Sequence, residues 1–152
     1  LNLLGMLEIK NKNYQKAEEY LTNSLKANPQ NAETFNNLGF LYTIIMDESE
    51  TDSKRKDELL EKALYNFNKA LSIYNNFIQA KYNLGLCYMR KGNFENAKRY
   101  FTDVIKSDPQ GNYAEKASTF LLVIELTEAT KKLHRQKQIN SNFKGAEVQK
   151  WN

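Results

Sequence analysis

Apolar residues return along this chain at intervals of three, four and seven, the spacing that gathers them on one face of an α-helix. Ala17, Leu21 and Leu25 form one such stripe. Ala63, Phe67, Ala70 and Leu71 form a second, and Ala97, Phe101 and Ile105 a third. Between the stripes lie short polar breaks. Lys91-Gly92-Asn93 predicts a turn with Gly in the helix-ending position, while Asn28-Pro29 and Asp108-Pro109 predict helix ends, because proline cannot continue a helix. From Phe40 to Leu84 there is neither Gly nor Pro, which predicts two long helices meeting near Ser49–Ser53. With only 6 Gly and 2 Pro in 152 residues, the chain lacks the turn residues of a fold built from short strands. The pattern predicts an all-α protein.

The breaks and stripes also repeat. Leu-Gly occurs at Leu4-Gly5, Leu38-Gly39 and Leu84-Gly85. Ala17 and Ala97 stand at the same offset from the first and third Gly, and the two prolines, Pro29 and Pro109, likewise share one offset. The middle unit holds the same parts at Ala63, Phe67, Ala70 and Leu71, with Asn75 in the place of proline. The step from Gly5 to Gly39 recurs from Ala63 to Ala97, but the step from Gly39 to Gly85 is longer by twelve. The second unit therefore carries an insertion, around Met46–Glu58. Glu50 with Lys54 and Asp52 with Lys56 are spaced for pairing if that insertion is helical.

The common step is the roughly 34-residue period of the tetratricopeptide repeat. The Leu-Gly-x-x-Tyr blocks at Leu38–Tyr42 and Leu84–Tyr88, the Ala-x-x-x-Phe blocks at Ala63–Phe67 and Ala97–Phe101, and the phased prolines all resemble that family. The resemblance covers residues 1 to about 111. It departs at Glu8, where Tyr is usual, and lacks the family Trp throughout. The fold it implies is a right-handed superhelical array of antiparallel helix pairs. Unit 1 covers 1–31, unit 2 with its insertion 32–77, and unit 3 78–111. Gly in the first helix and Ala in the second let each pair approach closely, and neighbouring pairs stack to bury what one pair cannot. Tyr113, Ala117, Phe120, Leu121 and Ile124 predict a capping helix over 112–138. Residues 139–152, with only Ile139, Phe143, Val148 and Trp151 as large apolar side chains, are expected to form a flexible basic tail. The chain opens Leu1-Asn2-Leu3 and reads as a piece of a longer protein.

Charge changes this picture only at one end. The net charge of +4 resolves into +5 from Lys131 onward and −1 before it, so the basic character belongs to the tail and gives the body little reason to bind nucleic acid. A single Cys excludes an internal disulfide, and one Cys with one His leaves no zinc ligand set. The glycines are isolated, so there is no phosphate-cradling loop, and no Gly-x-Ser-x-Gly elbow occurs. His134 stands among basic residues without a nucleophile, and Cys87 falls on an apolar helix where a packed thiol is expected. The chain is read as a binding protein rather than an enzyme, without cofactor, metal or small-molecule substrate.

The resemblance implies a concave groove lined by the first helices of successive units, with a peptide or helix of another protein lying in it. Carried onto this chain, its lining includes Met6, Asn36, Asn37, Phe40, Tyr82, Asn83, Leu86, Met89 and Arg90. Asn37 and Asn83 share one repeat position, and their amides could donate to and accept from a peptide backbone. Phe40, Tyr82, Leu86 and Met89 would supply an apolar floor. Three such helices would hold roughly six to nine extended residues. The cation cluster by which some relatives grip a chaperone's C-terminal carboxylate is missing: the matching positions are Asn2, Met6, Asn37, Gln79 and Asn83, of which only Asn37 fits. Two other readings stand beside the groove: a module of a bacterial envelope or pilus-assembly lipoprotein, and binding of nucleic acid or an anionic surface by the tail. The tail's apolar residues also make self-association an expectation.

Overall fold

The computed structural model describes residues 1–48 and 52–149, with side chains through residue 144. Seven helices follow one another: α1 (Asn2–Lys10), α2 (Tyr14–Ala27), α3 (Ala32–Glu48), α4 (Ser53–Ile73), α5 (Ile78–Arg90), α6 (Phe94–Ser107) and α7 (Asn112–Gln149). No strand occurs among the described residues. α1–α2, α3–α4 and α5–α6 pack as pairs, each pair lies on the next, and α7 closes the array against α6 and α5.

One contact recurs at the heart of every pair. A methyl group added at Gly5 would lie 2.6 Å from Leu21, at Gly39 2.6 Å from the Phe67 ring, and at Gly85 2.5 Å from the Phe101 ring. Leu21, Phe67 and Phe101 are each 0% exposed, as are Ala17, Ala63 and Ala97 beside them. The Leu-Gly and Ala-x-x-x-Phe blocks are therefore two sides of a single contact: a bulky side chain of the second helix fills the space left by the missing side chain of the first.

The turns repeat as well. Between α5 and α6, Gly92 adopts φ +73°, with its N–H donating to Met89 and that of Asn93 to Tyr88. Between α1 and α2 the same two bonds run from Lys12 to Ile9 and from Asn13 to Glu8, and Lys12 takes φ +60°. This left-handed helix ending favours glycine, since a β-carbon there crowds the following carbonyl. Lys12→Gly is therefore expected to stabilise the chain by about 1 kcal/mol, reduced by the loss of the exposed Lys12–Glu48 pair (3.1 Å). An unchanged or lowered urea midpoint would show that Lys12 carries no backbone strain. At the far ends, Asn28, Tyr74 and Asp108 all break to extended backbone, so α4 stops without the proline that follows α2 and α6.

The insertion lengthens both helices of the middle pair, as expected: α3 has 17 residues and α4 21, against 13 and 14 in the third pair. Asp52 accepts the Arg55 N–H (2.8 Å) and so caps α4. It makes no ion pair with Lys56 among the described residues. Ser49, Glu50 and Thr51, and with them the Glu50–Lys54 pairing, lie outside the described residues.

The expectation for the C-terminus needs correction. Instead of a cap ending near 138 and a flexible segment after it, α7 runs 38 residues to Gln149. Up to Lys131 it is held by burial of Ala114, Ala117 and Ile124, by the Lys98–Glu128 pair and by Lys131 over the Phe94 ring. Beyond that, every described side chain is exposed. Its continuation rests on residues such as Lys137, Gln138 and Lys144, which favour helix without packing, and on local bonds such as Gln136 Nε2 to Asn140 Oδ1 (3.1 Å). Ile139 and Phe143 stay exposed, while the side chain of Val148 and all of Trp151 lie outside the described residues.

Candidate functional site

Because the pairs stack in register, equivalent residues of α1, α3 and α5 form rows across the array. Met6, Phe40 and Leu86 make one row, all half-buried. Phe120 of α7 stands one repeat length after Leu86 and continues the row, also half-buried. Met89 is half-buried one turn further along α5. These side chains pack inward on one flank and keep the other accessible, which gives a ribbon of apolar surface crossing four helices. The sequence reading missed Phe120 because it stopped the repeat at Gly111, although the repeat spacing marks it.

A second row is polar. Asn37 Nδ2 donates to Asn2 Oδ1 (3.0 Å), and Asn83 Nδ2 donates to Asn36 Oδ1 (3.3 Å), so each first helix is tied to the previous one by the same amide contact. This differs from the expectation that Asn37 lies open to the groove. Asn37 is 6% exposed and Asn36 1%, because both sit in the seams between units, whereas Asn83 is half-buried. Nδ2 of Asn36 has no partner among the described residues, which leaves one donor unspent in the α3–α5 seam. At Tyr82 the row turns aromatic. Tyr82 is 8% exposed and packs on Tyr113 (5.1 Å), Phe101 (5.9 Å) and Phe120 (6.2 Å), so it belongs to the core under α7 and not to the floor of a groove. Burial, with Tyr113 beside it, raises its phenol above the ordinary range.

Charge is sparse along these rows. Arg90 ends α5 and pairs with Asp47 of α3 (2.7 Å), bridging the third pair to the lengthened end of the second. Lys81 is buried, with its Nζ 2.8 Å from Asp103 and 3.2 Å from both Asn76 Oδ1 and Ser107 Oγ. Those bonds satisfy all three ammonium hydrogens, so the group locks α5 to α6 and is not offered to a ligand. Cys87 is 0% exposed, and burial pushes its thiol up to about 12, which removes it as a nucleophile at neutral pH. Tyr42 donates to Glu18 Oε1 (2.6 Å), and its hydroxyl is raised well above the ordinary value by burial first and by that carboxylate second. No cluster of three metal-binding side chains occurs among the described residues, and none of the described helices is long and apolar enough to cross a membrane.

The lengthened helices carry a separate hollow of about 810 Å³, lined by Tyr42, Asp57, Glu58, Glu61, Lys62 and Tyr65 among others. It shares no residue with the rows above. Its walls are mostly one face of α4, which makes it a shallow bay beside the insertion.

The tetratricopeptide-repeat family profile matches residues 1–31 and 78–111. No curated protein matches the chain. Among solved structures, the first repeat domain of Spaghetti bound to the HSP90 peptide SRMEEVD aligns with 84% of this chain and 90% of that one, at 19% identity and a TM-score of 0.70. PcrH in complex with the chaperone-binding region of PopD aligns with 83% and 89%, at 15% identity and a TM-score of 0.69. A thermophilic repeat protein of Thermus thermophilus aligns with 84% and 63%, at 17% identity and a TM-score of 0.71. At these identities the structures share the fold. Of the unmatched residues, 32–77 hold the insertion and the middle Leu-Gly and Ala-x-x-x-Phe blocks, whose Gly39–Phe67 contact repeats that of the matched third unit, and 112–152 hold α7. The chain thus carries two matches to the tetratricopeptide repeat, in its first and third units, on a fold shared with solved structures of such repeats.

Proposed function

We propose that the chain is a protein-interaction module that holds a segment of a partner protein along the apolar ribbon of Met6, Phe40, Leu86 and Phe120. The observation that carries this reading is the row itself: one half-buried apolar side chain from each of four adjacent helices, at a constant place in the repeat. A core alone does not require all four to stay partly accessible. Asn83 and Arg90 flank the row with donors for the carbonyls of a peptide. Met6 and Met89 suit a surface that adapts to its occupant. Two proteins of this fold are described with a partner segment bound, an HSP90 peptide and a region of PopD. The occupant here is read as a neutral or apolar segment, since the cations needed to grip a terminal carboxylate are missing from the matching positions.

The test is selection from a displayed library of random dodecapeptides, followed by calorimetry. Selected peptides are expected to bind in the micromolar range. Affinity should fall about tenfold for Leu86→Ser and about fivefold for Asn83→Ala, in line with a lost apolar contact and a lost neutral hydrogen bond. Both variants should keep the wild-type far-ultraviolet spectrum. The peptide SRMEEVD should bind no better than a scrambled control. Selected peptides indifferent to both substitutions would move the site off the ribbon.

A further inference from the structure

The outer face of α7, like the face of α1 that carries Leu4 and Leu7, is left without the cover its counterparts have. Thr119 stands one repeat length after Gly85, and the face of α5 around Gly85 is covered by α6, as that of α3 around Gly39 is by α4. On α7 the same face is bare: Leu122 is 56% exposed, Leu126 60% and Leu133 55%. These residues and Ala129 follow one another at steps of four, three and four, the seam of a coiled coil and not the broader stripe of a helix on a globular core. The inner face, with Ala117 and Ile124 buried, is already spent on the array.

We propose that this seam pairs α7 with α7 of a second copy, antiparallel, about a two-fold axis between Thr127 and Glu128. That axis sets Leu122 opposite Leu133 of the second copy and Leu126 opposite Ala129, each contact occurring twice, so four consecutive layers are apolar. The flanking charges match the same register. Glu125 falls beside Lys132 of the second copy, and Lys132 beside Glu125, at both ends of the seam. Neither side chain has an ion-pair partner of its own among the described residues. Polarity decides the direction. From Ala129 to Lys144 the helix carries five basic residues and no acid, whereas from Asn112 to Glu128 it carries three Glu against one Lys. Antiparallel pairing lays each basic half along the acidic half of the other helix. A parallel pair would stack the basic halves and set Lys132 against Lys137. The second copy's body lies on the far side of its own α7, so the peptide ribbon plays no part in the contact.

Sedimentation equilibrium on the full chain tests this. The wild type should form a dimer with a Kd of roughly 1 to 100 µM. Leu126→Glu, at an exposed position, should leave a monomer of unchanged helicity. Glu125→Lys and Lys132→Glu should each raise the Kd by about tenfold, because each sets like charges together at two places, and the double reversal should return it to within about threefold of wild type. A wild type that stays monomeric to about 0.5 mM overturns the proposal. So does a dimer indifferent to Leu126→Glu, a double reversal that fails to recover, or a dimer abolished by Leu86→Ser, which would place the second copy on the ribbon.

Discussion

Replacing Gly39 with Leu is expected to cost about 3 kcal/mol or more, the upper range for overpacking a tight core. A single β-carbon at that position already falls 2.6–2.8 Å from three atoms of the Phe67 ring, and the ring is fully buried with nowhere to retreat. The only relief is to separate α3 from α4, which would open Leu41, Tyr42, Ala63 and Leu64 together. Urea unfolding followed by far-ultraviolet circular dichroism measures the loss. Coupling supplies the sharper check: Gly39→Ala should be destabilising alone and markedly less so with Phe67→Leu, since the smaller side chain vacates the space. A midpoint unmoved by Gly39→Leu would remove the contact on which the repeat phase rests.

Phe101→Ala is expected to cost about 3–5 kcal/mol, the range for deleting a fully buried aromatic. Phe101 fills the notch over Gly85, stacks on Phe120 of α7 (5.5 Å, 13°) and meets Tyr82 (5.9 Å, 55°), so one ring joins α5, α6 and α7. Its removal should loosen α7 first. Hydrogen exchange should show the amides around Ala117–Ile124 losing protection before those of α3 and α4. Equal loss across the chain would mean that α7 is anchored elsewhere, and a cost below about 1 kcal/mol would mean that the cavity collapses.

The fold was legible where the requirement is local and repeated. Gly39 and Phe67 lie on different helices with the whole insertion between them, yet each marks its role by spacing to equivalents in the other units. That the two helices approach closely at Gly39 could therefore be read without coordinates; that the Phe67 ring, one turn on from Ala63, fills the space could not. The lengthened middle pair followed from the absence of Gly and Pro between Phe40 and Leu84. Three features were not legible. Lys12 occupies a glycine turn because the two backbone bonds around it hold the conformation, and nothing in Lys announces that. The extension of α7 past 138 depends on intrinsic helix preference, which leaves no apolar period to detect. Asn37 and Tyr82 went astray for a shared reason: a residue at a groove position can be spent on the neighbouring unit, and whether it is depends on what that unit offers. Asn37 meets Asn2, and Tyr82 meets the rings of α7. Leu86 and Phe40 sit at the same repeat position and keep a free flank.

The insertion also bears on how the chain acquires its structure. In a stacked array most contacts join neighbours in sequence, so folding can start in any one pair and spread outward. The middle pair has the longest helices and the largest set of buried side chains, from Leu38 to Met46 on α3 and from Leu59 to Ala70 on α4. Of the three pairs it offers the most buried surface for the closure of one connection. It is therefore the natural nucleus, with the outer pairs condensing on a template already formed. The same asymmetry holds in reverse: transient openings begin at α1–α2 and at α7, the outermost elements, while the centre keeps its register. A partner lying across all four helices would then find Phe40 fixed and Met6 and Phe120 yielding, and would settle from the middle towards the ends.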